Sequence, residues 1–184
     1  MKIGDSTRVG NWFQTYSGVE YYIEDAREDE IFIEDIAHAL SQMCRFNGHC
    51  RTFHSVAAHS ILVSQVCNPE NALWGLLHDA SEAYTGDMVR PLKEGMDKFK
   101  AVEQALMRVI CKKFGLPPEM PTDVILADNI VLATERRDIM STSPRPWSID
   151  YMEGVVPLEE KLTLLQPSEA KILFLERFCA LTGE

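Results

Sequence analysis
A histidine followed directly by an aspartate, His78-Asp79, stands just after the apolar pair Leu76-Leu77 and is the pattern in this chain with the clearest chemical promise. Adjacent helical residues point about 100° apart, so the two act together only on an ion close enough to the backbone for both to reach. Glu82, four residues beyond His78, shares its helical face. Neutral imidazole and carboxylate together suit a first-row divalent metal. A catalytic metal needs further protein ligands and an open coordination position.

The supply of further ligands is small, because the chain has 5 histidines and none follows His78. His49, His54 and His59 are spaced by five, which on one helix would turn them apart, so they cannot all serve from a single helical face. His59 falls among Leu62, Val63 and Val66, where a histidine is either a hydrogen-bonded core residue or a ligand. Asp128 interrupts the apolar stretch from Val124 to Leu132 and calls for a cationic partner, a metal or an arginine. Glu135 lies two turns beyond Asp128, but Arg136 and Arg137 beside it point to a solvated charge cluster. Cys44, His49, Cys50 and His54 fit no common zinc spacing.

Helices must position these groups. Ile33, Ile36, Ala37, Leu40 and Met43 repeat at helical spacing and predict a first helix, broken by Asn47-Gly48. A second helix is expected from near Ser55 through Val66. Asn68 as cap and Pro69 at the first position open a third, which is expected to carry His78, Asp79 and Glu82. Gly86-Asp87 ends it, and a loop through Arg90-Pro91 leads to a long amphipathic helix closed by Gly115. Thr122 starts a helix containing Asp128 and reaching Met140, and a last helix spans Ser168 to Thr182. Residues 1–32, with Trp12, Phe13, Tyr16, Tyr21 and Tyr22 around Ser17-Gly18, fit either a short hairpin or an irregular aromatic layer. Ser143 to Pro157 contains prolines and reads as an irregular, functional connection, the irregular stretch as a whole running over 143–167.

These elements imply an all-α bundle of about six helices, and 184 residues at 46% hydrophobic suffice for one domain, 1–184, around one core. The N-terminus lacks a signal-peptide pattern and no stretch is long enough to span a membrane, so a cytoplasmic protein is expected. Five scattered cysteines without a C-x-x-C pair read as reduced, mostly buried thiols. A net charge of -10 argues against a nucleic-acid polymer as partner, since phosphate backbones are held by clustered Lys and Arg. A small phosphorylated substrate is still compatible, because a metal and one or two arginines neutralise a phosphate locally.

The order His59, His78-Asp79, Asp128 resembles the HD-domain metal-dependent phosphohydrolases. The context Arg45-Phe46, then Ser55-Val56-Ala57-Ala58-His59-Ser60, then His78 to Asp87 (HDASEAYTGD), is similar to the bacterial 5′-deoxynucleotidase branch and its phage-type relatives that hydrolyse deoxynucleoside triphosphates. The resemblance covers residues 33–140, with 1–32 and 143–167 as family-variable segments. It implies an HD-domain fold and one divalent transition metal (Mn, Co, Zn, Fe or Ni) on His59, His78, Asp79 and Asp128. Glu82 would be the general base, Arg45 would hold the phosphate, Phe46 would take the place of an aromatic, commonly Trp, against the nucleoside, and Asp87 would contact the deoxyribose hydroxyl. The Phe at 46 and a shorter interval between His59 and His78 depart from that branch. A homodimer or higher homo-oligomer is also implied.

The activity so implied is hydrolysis at the 5′-phosphate of a deoxynucleotide, with a monophosphate preferred as substrate. The alternative is release of triphosphate from a deoxynucleoside triphosphate, which uses the same metal site and differs in room and positive charge beyond the first phosphate. Arg90 and Lys93 are candidates for that charge, although a surface loop explains them equally well. Binuclear HD oxygenases and cyclic-dinucleotide phosphodiesterases need further histidines after the HD pair, which this chain lacks. A catalytically silent nucleotide sensor is the alternative of another class.

Overall fold
The computed structural model describes residues 7–183, so any expectation for residues 1–6 lies outside the described residues. Aromatic residues around Ser17-Gly18 form a hairpin, β1 (Trp12–Gln14) antiparallel to β2 (Glu20–Tyr22), with Phe13 opposite Tyr21. Gly18 supplies the positive φ, 89°, that the connecting turn requires. The hairpin is tied down by Asp35, which accepts bonds from the Ser17 backbone N–H (2.6 Å) and hydroxyl (2.8 Å). Tyr21 is fully buried and stacks on Tyr84 at 4.4 Å, so the hairpin braces the segment that carries Glu82.

Helix α1 (Ile33–Gln42) buries Ile36, Ala37 and Leu40, as its apolar period requires. The Ser55 hydroxyl accepts the Ala58 N–H at 3.1 Å and starts α2 (Val56–Val66), which is buried almost all round because it lies at the centre, against α1, α3, α7 and α8. Asn68 makes no side-chain cap. Instead Asp123 accepts from the Asn68 N–H (2.9 Å) and the Asn71 amide (2.8 Å), and a single 3₁₀ turn, Pro69–Asn71, leads into α3 (Ala72–Leu77).

The third helix does not carry His78, Asp79 and Glu82 as one regular element. It stops at Leu77, and Ala80 N–H to Leu77 O and Glu82 N–H to Asp79 O, both 2.9 Å, wind the chain more tightly before the single turn α4 (Glu82–Thr85). His78 supplies a reason: its Nδ1 donates to the Gly75 carbonyl at 2.8 Å, the acceptor that the Asp79 N–H would use in an α-helix. Gly75 also lets α3 approach α2, since a Cβ there would meet Cys67 Sγ at 2.8 Å and Ser64 Cα at 2.9 Å.

The stretch through Arg90-Pro91 contains one helical turn, α5 (Arg90–Lys93), before α6 (Asp97–Lys113). Helix α7 (Thr122–Ile139) and α8 (Pro167–Thr182) are joined by a connection that holds only a short 3₁₀ turn, Ser148–Tyr151. The molecule is therefore mostly helical. Among the described residues, six helices longer than one turn, α1, α2, α3, α6, α7 and α8, make the bundle, with α4 and α5 as single turns. Its larger core packs Ile36, Leu40, Leu76, Leu77, Leu106 and Phe174, and a smaller one packs Val63, Trp74, Val124 and Val131 under the start of α7. Arg177 locks α8 to α2 through the Ser64 hydroxyl (3.0 Å) and carbonyl (2.9 Å). Among the described residues no helix is long and apolar enough to cross a membrane.

Candidate metal centre
Three elements bring ligand atoms together. His59 projects from the centre of α2, His78 and Asp79 from the tight turn after α3, and Asp128 from the second turn of α7. One ligand atom from each of His59, His78 and Asp128 lies within 4.8 Å of the others. His59 Nε2 is 3.3 Å from His78 Nε2 and 3.1 Å from Asp128 Oδ1. Asp79 Oδ2 comes in beside them, 3.2 Å from His78 Nε2 and 3.8 Å from His59 Nε2. All four residues singled out as ligands thus meet at one place.

The hydrogen bonds on the far side of each imidazole decide what that place can hold. His59 Nδ1 is 2.8 Å from Glu135 Oε1, and His78 Nδ1 is 2.8 Å from the Gly75 carbonyl. Both acceptors require Nδ1–H, so in the neutral rings both Nε2 atoms present lone pairs to each other and to two carboxylates. Facing lone pairs and anions repel unless a cation lies between them, and this back-side bonding is the usual support of a metal-ligating histidine. The donor set therefore fits a divalent first-row metal. Burial and Arg45 press the His59 pKa down, yet Glu135 and Asp128 hold it up at about 9, so a proton and a metal ion compete for the same lone pairs. For Asp79, burial alone would raise the pKa, but His78, His59 and Arg45 keep the carboxylate ionised well below its ordinary range.

Glu135 is the residue that sequence reasoning misplaced. It is wholly buried rather than solvated, and it accepts from His59, from His54 Nε2 (3.1 Å), and from Arg45 Nη2 (3.0 Å) and Nε (3.3 Å). Its position seven residues after Asp128 puts both carboxylates on one face of α7, a signal outweighed by Arg136 and Arg137. Those two arginines turn outward, Arg136 to Asp150 and Arg137 to Asp138. His54, which shares the five-residue spacing with His49 and His59, is not at the cluster but is a second support of Glu135. The sulfurs of Cys44 and Cys50 do lie 3.4 Å apart, but His54 is turned away to Glu135 and all five thiols are free. Only Cys67 and Cys111 are buried; Cys44 and Cys50 are half-buried and Cys179 is exposed.

Arg45 is brought to the site by an isolated bridge between Cys44 and Ser55, with its N–H on the His54 carbonyl at 2.9 Å. One edge of its guanidinium is committed to Glu135. Nη1 remains on the Asp79 side, 3.8 Å from Oδ2. The chain then turns through Phe46 (φ 54°) and Asn47 (φ 53°), left-handed conformations that cost roughly 1–3 kcal/mol each and place the Phe46 ring beside the opening.

A cavity of about 720 Å³ opens over the cluster, lined among others by Arg45, Phe46, Asp79, Glu82, Asp87 and Asp128. Glu82 is 8% exposed, and its Oε2 has no hydrogen-bond partner among the described residues. Burial, with Asp79 and Asp87 nearby, raises its pKa well above the ordinary value. Burial also raises Asp87. Arg90 and Lys93 stand on the same rim, Lys93 paired with Glu103 at 2.5 Å. Trp147, from the long connection, faces Phe46 across the opening and was not anticipated.

No family model matches the chain. It is 42% identical over 170 residues to "Uncharacterized protein YfdR" of Escherichia coli K12, covering 91% of this chain and 94% of that one. An uncharacterized protein of Rhodobacter capsulatus is 34% identical over 123 residues, 61% of this chain and 63% of its own. At 42% identity over more than nine-tenths of both proteins, the first match shows that the chain belongs to the same family as YfdR.

Proposed function
We propose that this protein is an HD-domain, metal-dependent phosphohydrolase acting on the 5′-phosphate of deoxynucleotides, with the monophosphate as substrate and the deoxynucleoside and phosphate as products. The observation that carries this reading is the pair of Nε2 lone pairs at 3.3 Å, each fixed by a back-side bond, beside Asp79 and Asp128 at the floor of an open cavity. His59, His78, Asp79 and Asp128 would hold the ion. A divalent cation bound there supplies neutralisation of phosphate charge and an acidified water.

The remaining steps fall to side chains. Glu82, buried, with Oε2 unpartnered and its pKa raised by burial and by Asp79 and Asp87, accepts the proton of the attacking water, because a raised pKa makes a carboxylate a stronger proton acceptor. The Nη1 edge of Arg45, which faces Asp79 at 3.8 Å, binds a phosphate oxygen, its orientation fixed by Glu135. Asp87 accepts a sugar hydroxyl, and that bond offsets the cost of its burial. Glu135 positions rather than reacts, because each of its oxygens is already engaged.

Arg90 and Lys93 on the rim favour a second reading, attack of water at the α-phosphorus of a deoxynucleoside triphosphate, in which the bond to the 5′ oxygen breaks, the deoxynucleoside leaves and triphosphate is released with the new oxygen. Incubation of protein loaded with Mn2+, Co2+ or Zn2+ with dAMP and with dATP, followed by chromatography, separates the two. Inorganic phosphate from dAMP is expected. Inorganic triphosphate as the main product would install the second reading, and inert protein that still binds a deoxynucleotide by calorimetry would replace both with a nucleotide sensor.

A further inference from the structure
Resting on the reading of the cavity as a nucleotide site, we propose that Trp147 is the nucleobase platform, recognising any base by stacking rather than by reading its hydrogen-bonding edge. Trp147 is only half-buried, yet it is held from several directions. Its backbone N–H donates to Asp150 Oδ2 at 2.7 Å, its indole N–H donates to the Ser143 hydroxyl at 3.0 Å, and the Arg136 guanidinium lies 5.3 Å from the ring centroid. Arg136 in turn pairs with both oxygens of Asp150, so α7, which carries Asp128, fixes the connection that carries the indole.

Trp147 stands at the start of the one 3₁₀ turn, Ser148–Tyr151, of an otherwise irregular, proline-containing connection. An exposed indole free to rotate would offer a ligand little, because ordering it on binding costs side-chain entropy. Here that entropy is lost on folding. The indole N–H is already satisfied by Ser143, so what Trp147 has left to offer is its π surface and edge.

What it faces matches. The Phe46 ring lies 6.1 Å away at 59°, and the two rings form an aromatic corner of the same cavity that holds Glu82, Asp79 and Asp128. Met88, Val89, Leu132 and Met140 complete an apolar wall around it. The cavity is thus divided: ionisable groups and Arg45 where a phosphate is expected, aromatic and aliphatic surface where a flat, apolar-faced group would fit. A nucleobase meets that description, and every base has a π face, so affinity should vary little among bases and be largest for purines.

Equilibrium binding without turnover tests this apart from the hydrolase reading. The ligands are dAMP, dCMP and 2-deoxyribose 5-phosphate, which lacks a base, titrated by calorimetry into chelator-treated full-length protein. The wild type should bind dAMP about tenfold more tightly than 2-deoxyribose 5-phosphate, with dCMP between them. Trp147→Ala should collapse that difference, and Trp147→Phe should restore most of it. Thermal melts of each variant check folding, and Arg136→Leu, which leaves the indole in place but unbraced, should narrow the difference without abolishing it. Equal affinity of the wild type for the base-containing and base-free ligands, or a difference that survives Trp147→Ala, would overturn the proposal. Neither result depends on whether dAMP is cleaved.

Discussion

Glu135 and Glu82 are both buried carboxylates near the same candidate metal cluster, and they are opposites. Glu135 receives bonds from two histidines and an arginine, and although burial works against its charge, Arg45 and His59 hold its pKa well below the ordinary range. Glu82 has an unpartnered oxygen and two carboxylate neighbours, and its pKa is driven up. The same residue type is thus held as an anion behind one wall of the site and pushed towards its neutral form on the other. Environment rather than identity assigns the role.

Breaking the Glu135 wall should have the largest effect. Glu135→Ala leaves the Arg45 guanidinium and the His59 Nδ1–H buried without their acceptor, and losing one partner of a buried ionic network costs about 3–5 kcal/mol. Urea unfolding should show that loss, and elemental analysis should show weakened metal retention because His59 is no longer oriented. A loss within the range of a surface ion pair, below about 1 kcal/mol, would mean that Glu135 is not the support it is taken for.

Breaking the Glu82 wall should separate stability from activity. Glu82→Gln keeps the shape and removes a charge that burial disfavours, so the melting temperature should hold or rise. Metal content by elemental analysis should not change, while turnover of dAMP should fall by roughly 10²–10⁴. Full activity in this variant would remove Glu82 from the role of base and make the two walls alike. Asp87 belongs to the same unsatisfied wall but touches the sugar in the proposed arrangement. Asp87→Ala should therefore raise KM for dAMP by about tenfold with a smaller change in kcat, read from steady-state kinetics.

The asymmetry between the walls was only half legible in the sequence. His59, His78, Asp79 and Asp128 were identifiable from residue type and apolar context, and Glu82, Arg45, Phe46 and Asp87 through the family resemblance, and the structure brings all eight to the cluster or the cavity above it; apolar periodicity located α1, α2, α7 and α8 closely. What periodicity could not show was the side-chain bond of His78 to Gly75, which competes with helical hydrogen bonding and turns the expected third helix into a tight bend. Nor could it show which of three consecutive charged residues points inward. Glu135 does so because His54, His59 and Arg45 converge on it from distant parts of the chain, 76 to 90 residues away. Trp147 was hidden for a similar reason: its partners Phe46 and Arg136 are set by tertiary packing, and its own segment has no period to read.

The smallest effect, and the most discriminating, is the pH dependence of stability in metal-free protein. Glu135 has a folded pKa below its unfolded value of about 4.5, so its contribution is present above that pH and is lost as the pH falls. Glu82 has a folded pKa above the same reference, so its penalty is absent at low pH and grows as the pH rises through about 4.5. His59, raised to about 9, contributes fully below about 6.5 and loses that contribution as the pH rises through 9, which makes the interval below about 6.5 the one in which the carboxylates stand out. Guanidinium unfolding at several pH values from about 3.5 to 6.5 should then give two opposite trends relative to the wild type. Glu82→Gln should gain on it as the pH rises, and Glu135→Gln should close its deficit as the pH falls below about 4.5. Curves for Glu82→Gln and wild type that run parallel throughout would show that Glu82 is ionised in the folded protein at no special cost and that burial beside Asp79 and Asp87 does not raise its pKa.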